Sequence, residues 1–293
     1  MDRFALSREI ERNAFWRTIR HLIRRHAMIF LDYPVRPIPR YGHGHPPHPE
    51  LHALLTRGRE DYRSFLRRCL DLKDPLAAIP VRGDASSPEP AWSNGFLPGL
   101  DSATLYSFLA FGNPDRYVEI GSGNSTKFAR RAIRDHRLRT RITSIDPEPR
   151  ADIDALSDDV VRRPLEDVDL ALITSLREGD LLFLDGSHRC FTNSDVTVAF
   201  LEILPRLSKG VRVQIHDICL PYDYPPTFSQ RYYSEQYVLA AYLLGGANGA
   251  RVLLPNAYIS QDPELASILD PIWLSPGFDE VERHGSSFWL EVA

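Results

Sequence analysis

From about Leu100 onward, short apolar runs alternate with segments of helical period. Strands are predicted at 117–120, 141–146, 159–162, 181–185, 211–217, 251–254 and 287–292, and helices at 125–135, 193–207 and 233–244. The helix at 193–207 is the best marked, because Val196, Ala199, Phe200, Ile203, Leu204 and Leu207 fall on one stripe. Such alternation predicts an α/β fold, a doubly wound, mostly parallel seven-stranded sheet with ligands at the carboxyl ends of its strands.

Ahead of it, residues 1–99 read as an N-terminal helical and proline-rich extension, and 100–293 as the ligand-binding domain. Seven arginines in residues 1–30 interleave with Leu6, Ile10, Trp16, Ile19, Ile23 and Phe30. The pattern suits a helix lying on a membrane, or one docked on its own domain or on a second subunit, since Asp2, Glu9 and Glu11 dilute the charge. Six prolines and three histidines over 33–49 predict an extended linker or wrapping arm. His43, His45, His48 and His52 are chemically able to hold a metal, but the prolines stiffen the segment and no cysteine or carboxylate lies within 33–49. Residues 50–73 read as helical, and 74–100 are again broken by prolines.

The chain has 293 residues, 43% of them hydrophobic, enough for a large core in one elaborated domain or two. A net charge of -4 gives no reason to expect a nucleic-acid partner. No apolar run approaches the roughly 18 residues that a spanning helix needs, so no transmembrane segment is expected. The N-terminus lacks an apolar core with a cleavage site, and Cys69, Cys190 and Cys219 are scattered. A reducing, cytoplasmic setting is the expectation.

Candidate chemistry starts at Arg116-Tyr117-Val118-Glu119-Ile120-Gly121-Ser122-Gly123-Asn124-Ser125-Thr126, a strand, a glycine turn and a helix start. Two glycines one residue apart let the backbone turn sharply and approach a ligand, while Ser125 or Thr126 caps the helix whose free N–H groups face it. Thr126 stands where a dinucleotide fold usually has a third glycine, which argues against NAD and for a cofactor without phosphates. The strand at 141–146 ends in Asp146, suited to the two hydroxyls of a ribose or, alternatively, to capping the turn before Pro147.

Two further strands end in polar tails, Asp185-Gly186-Ser187-His188 and His216-Asp217. If the strands are parallel neighbours, these four side chains meet at the mouth of the cradle, able to hold a divalent cation or to move a proton near neutral pH. The bland alternative is a turn at Asp185 and a helix cap at His188. The segment 220–237, rich in tyrosine, is either a substrate lid or a loop packed on the N-terminal arm.

Over about residues 92–292 these features resemble the class I S-adenosylmethionine-dependent methyltransferases. The resemblance implies that the turn at Glu119, Gly121, Ser122 and Gly123 holds the methionine end of S-adenosyl-L-methionine, that Asp146 takes the ribose, and that Pro164–Asp167, with Glu166, contacts the adenine. A narrower resemblance, to metal-dependent sugar O-methyltransferases of macrolide antibiotics, rests on the spacing of Asp185 and His188. It implies Asp185 as a metal ligand at the cofactor's edge and His188 as catalytic base. Those enzymes carry an acid pair after the next strand, where this chain has His216 before Asp217. The implied metal set is therefore Asp185, His216 and Asp217, holding Mg2+ or another divalent cation. O-methylation of a hydroxylated small molecule or saccharide is the expected activity. The alternatives are a cofactor-binding interaction protein without turnover, or another enzyme of the same fold such as an oxidoreductase.

Overall fold

The computed structural model describes residues 33–84, 87–149 and 153–293, so the predictions for residues 1–30 lie outside the described residues. The chain divides into two units, Met1–Pro37 and Ile38–Ala293. Of the first, only residues 33–37 are described, and they form no helix or strand.

The second unit is built on one seven-stranded sheet: β1 (Arg116–Ile120), β2 (Arg141–Ile145), β3 (Asp159–Val161), β4 (Leu181–Leu184), β5 (Arg212–Ile215), β6 (Arg251–Pro255) and β7 (Phe288–Glu291). Their order is β3-β2-β1-β4-β5-β7-β6, with β7 antiparallel to both neighbours and the other pairings parallel. It is a Rossmann-like, doubly wound sheet. All four residues of β4 are buried, as expected of a central strand covered on both faces. The order reverses between β1 and β4, and there the strand ends open a crevice for a ligand.

Helices α1 (Pro49–Thr56) and α2 (Arg59–Cys69) precede α3 (Gly99–Gly112), which packs against α4 (Asn124–His136). In α4 the residues Phe128, Ala129, Ala132 and Ile133 are buried, the stripe expected of a helix laid on a sheet. Every residue from Gly99 to Leu109 in α3 is buried, so no polar face marks it. Phe65 of α2 stacks on Phe108 of α3 at 4.3 Å, and Phe108 stacks on Trp289 of β7 at 3.9 Å. The helices ahead of residue 99 thus share one hydrophobic core with the sheet. The predicted helix at 193–207 begins as α5 (Asp195–Val198), widens to a π turn over Ala199–Ile203 and tightens over Leu204–Arg206, where Pro205 supplies no amide donor. Last of the long helices is α6 (Glu235–Leu244).

Candidate active site

Beyond Ile120 the backbone turns at Gly121, φ +81°. A Cβ there would lie 1.9 Å from the Asp185 carbonyl oxygen, so only glycine fits. The Gly121 N–H donates to Ile145 O at 3.0 Å and the Asp185 N–H to Ile120 O at 2.9 Å, which ties the ends of β1, β2 and β4 together past the turn. At Gly123 an added Cβ would meet no atom within 4 Å, and Gly123 lines a 230 Å³ cavity with Ser122, Ser125, Lys127 and Asp185. Amides at the start of α4 and small side chains therefore face open space.

Glu119 sits below this turn. Its carboxylate is fully buried and accepts hydrogen bonds from the hydroxyls of Tyr117 (3.1 Å), Ser125 (3.1 Å), Thr126 and Ser144. Burial pushes its pKa up to about 7 against the pull of those donors. Neither Glu119 nor Thr126 lines the cavity or the neighbouring cleft. Thr126 also accepts the Gly123 N–H at 3.1 Å, so these two residues shape the turn from beneath.

The cleft beside the turn encloses 970 Å³ and is lined by Gly121, Ser122, Asp146, Glu166, Asp185, His188, His216 and Asp217 among others. Asp146 accepts the Ser122 and Glu148 N–H groups, each at 2.8 Å, so it braces the glycine turn while facing the cleft. Asp146 thus caps the turn and lines the cleft at once.

The tails of β4 and β5 do converge. His188 and Asp217 both adopt left-handed backbone, φ +59° and +54°, which turns the two tails at the ends of their strands. His188 Nε2 lies 3.2 Å from Asp185 Oδ1 and 3.4 Å from Asp217 Oδ2, while its Nδ1 lies 2.9 Å from Glu235 Oε2. Burial lowers the His188 pKa, but hydrogen bonds to Asp185 and Glu235 outweigh it, and the imidazole is held charged well above its ordinary range. His216 is raised in the same sense, burial again opposing, by the charges of Asp185 and Asp217 and by Asp101. Asp185 is pushed up by burial and drawn down further by His216 and His188, and ends well below the usual carboxylate range.

Among the described residues, Asp185, His216 and Asp217 are the one set of three whose ligand atoms gather, within 4.8 Å of one another. His216 Nδ1 stands 3.7 Å from Asp185 and 3.4 Å from Asp217, and its Nε2 3.3 Å from Asp101, so both buried ring nitrogens face carboxylates. With Asp101 on Nε2, a cation that displaces the Nδ1 proton would meet one imidazole nitrogen and two carboxylates, a donor set that fits a hard divalent cation.

Two residues escaped the sequence reading. Glu235, at the start of α6, is 47 residues from His188, and Asp101, in the first turn of α3, lies 3.3 Å from His216 Nε2. Asp101 is fully buried and also accepts from Asn256 Nδ2 (2.7 Å) and the Ser286 and Ser287 amides (2.8 and 2.9 Å). The aromatic segment is packed as well: Tyr233 lies 4.7 Å from the His188 ring, and Tyr224 is buried between Phe228 and Tyr237.

Residues 118–218 match the family model of a methyltransferase domain. That stretch runs from β1 to just beyond β5 and holds the glycine turn, Asp146, Asp185, His188, His216 and Asp217, but neither Asp101 nor Glu235. No curated protein matches the chain. Similar solved structures include the SAH-bound methyltransferase PaMTH1 of Podospora anserina, 17% identical over 66% of this chain and 78% of that one, with a TM-score of 0.39. The O-methyltransferase TomG of Streptomyces achromogenes, involved in tomaymycin synthesis and solved with SAM, is 15% identical over 76% and 96%, TM-score 0.42. An O-methyltransferase of Bacillus cereus in complex with SAH is 15% identical over 78% and 90%, TM-score 0.37.

Proposed function

We propose that this chain transfers a methyl group from S-adenosyl-L-methionine to a hydroxyl of a small molecule, assisted by a divalent cation at Asp185, His216 and Asp217. The observation that carries the reading is the meeting of the glycine turn with four titratable side chains at the switch point of a methyltransferase-type sheet.

In this reading Ser122, Gly123, Ser125 and the amides opening α4 bind the methionine end, Asp146 the ribose and Glu166 the adenine side, with Asp185 closing the cradle. S-adenosyl-L-methionine supplies a methyl on a sulfonium whose sulfur leaves as a neutral thioether. The acceptor oxygen forms its new bond to that carbon in line with the departing sulfur, so the chain must align the two and keep water out. A divalent cation supplies the positive charge that makes a nearby hydroxyl more acidic. His188 takes the hydroxyl proton at Nε2, and Glu235 fixes its ring through Nδ1. Asp185, which together with Glu235 raises His188, is also a counter-ion of the cation. His188 therefore serves as a base in the state where Asp185 is engaged by the cation.

Calorimetric titration tests the first half of the proposal: binding of S-adenosylhomocysteine but not NAD is expected, and a response to NAD alone overturns it. Methyl transfer that needs His188 and stops with chelator is the result expected of the second half.

A further inference from the structure

The cleft does not end at the rim. A second chamber of 670 Å³ shares Gly95, Phe96, Asp217 and Phe228 with it, so one carboxylate of the rim faces both spaces. Its volume falls in the usual range for small-molecule sites. Resting on the methyl-transfer reading above, we infer that this chamber is the acceptor site and that it takes a neutral or positively charged hydroxylated molecule in preference to an anionic one.

The lining sets that charge preference. Among the described residues that line the chamber none is lysine or arginine, whereas Asp217, Asp223 and Glu282 bring carboxylates. Asp185 and Asp217 balance the charge of the cation proposed at the rim, so an anion would be desolvated in the chamber with no lysine or arginine to meet it, a cost that a neutral or cationic molecule avoids. The cleft side differs, since Arg231 lines it. Hydrogen-bonding groups for hydroxyls come from His43, His45, His284, Ser260 and Gln261, and flat apolar faces from Phe96, Tyr222 and Phe228.

The outer wall is built before any ligand arrives. Residues Tyr41–Pro46 form a turn closed by His45 N–H to Gly42 O (2.9 Å) and Gly42 N–H to Pro46 O (3.2 Å). Asp223 clasps it, its Oδ2 accepting the Arg40 and Tyr41 amides at 2.6 and 2.9 Å and its Oδ1 the Tyr237 hydroxyl at 3.1 Å. A Cβ on Gly42 would lie 2.9 Å from Tyr222 Cβ, so the turn is seated tightly.

The test uses the full chain with three probes: phenyl β-D-glucoside, its cationic 2-amino-2-deoxy counterpart and the anionic phenyl β-D-glucuronide, titrated by saturation-transfer NMR. S-adenosylhomocysteine is titrated separately by calorimetry. The first two probes are expected to bind at least about tenfold tighter than the glucuronide. Ala257→Trp, which fills the chamber, should weaken both by about tenfold or more, and Glu282→Arg should bring the glucuronide within about threefold of the glucoside. Affinity for S-adenosylhomocysteine should stay within about twofold in every variant, which also shows that each is folded. Equal binding of glucuronide and amine, probe binding indifferent to both substitutions, or no probe binding at all overturns the chamber as acceptor site. Probe binding with no response to S-adenosylhomocysteine instead removes the methyl-transfer reading and leaves the chamber as a ligand site.

Discussion

Glu235 holds His188 from behind, with Oε2 2.9 Å from Nδ1, while Nε2 of the same ring faces Asp185 and Asp217. A carboxylate on one ring nitrogen decides which nitrogen is free to exchange a proton. Glu235→Gln keeps the shape but removes the charge. It should lower turnover by about 10- to 100-fold and displace the pH profile, with little change in KM for the methyl donor. His188→Gln should cost about 10²- to 10⁴-fold. Steady-state kinetics across pH checks both, and an unchanged profile in Glu235→Gln would reduce Glu235 to a packing residue.

Gly121→Ala places a methyl group into the Asp185 carbonyl and asks alanine for a left-handed backbone. Strain and overpacking together should cost about 2–4 kcal/mol. Chemical denaturation should show that loss, and titration with S-adenosylhomocysteine should show weakened binding. Gly123→Ala meets no protein atom, so it should keep near-native stability and lose affinity alone.

The cation site makes a separate claim on stability. Mn2+ or Mg2+ at about 100 times its dissociation constant should stabilise the fold by about 2.7 kcal/mol, read as a rise in Tm. Asp217→Asn and Asp185→Asn should flatten that response, because each removes one of the gathered oxygen ligands. A rise that persists in both variants would place the ion elsewhere.

Glu119 titrates inside the fold at about 7 rather than near 4.5. The folded state thus keeps a proton that the unfolded chain releases, so this contribution is complete below pH 4.5 and lost as pH rises through 7. Relative to Glu119→Gln, the wild-type chain should lose about 3 kcal/mol between pH 4.5 and 7.5. Denaturation of both proteins at several pH values measures the difference. A constant gap would mean that the four hydroxyls stabilise the ionised form instead.

Much of the sheet was legible because β1, β2, β4 and β5 are short, strand-forming runs that end abruptly in glycine, acid or histidine, and a central strand needs no other mark. Helix α3 escaped because it is buried on all sides and so has no stripe to betray its period. The helix predicted over 50–73 is divided at Gly58, whose missing Cβ leaves room for the Tyr62 ring. At the site, residues on strand tails could be placed from topology alone. Asp101 and Glu235 could not, because each reaches its histidine from a helix that no local pattern links to it.

The Asp223 clasp places the outer boundary of the chamber on a turn that belongs to no strand. Substitutions at His43 or His45 leave the pairing of the sheet untouched, so the range of molecules admitted is free to drift while the catalytic geometry stays fixed. Selectivity in this chain is accordingly a replaceable fitting, and the place to re-engineer it is a short hairpin far upstream of the chemistry.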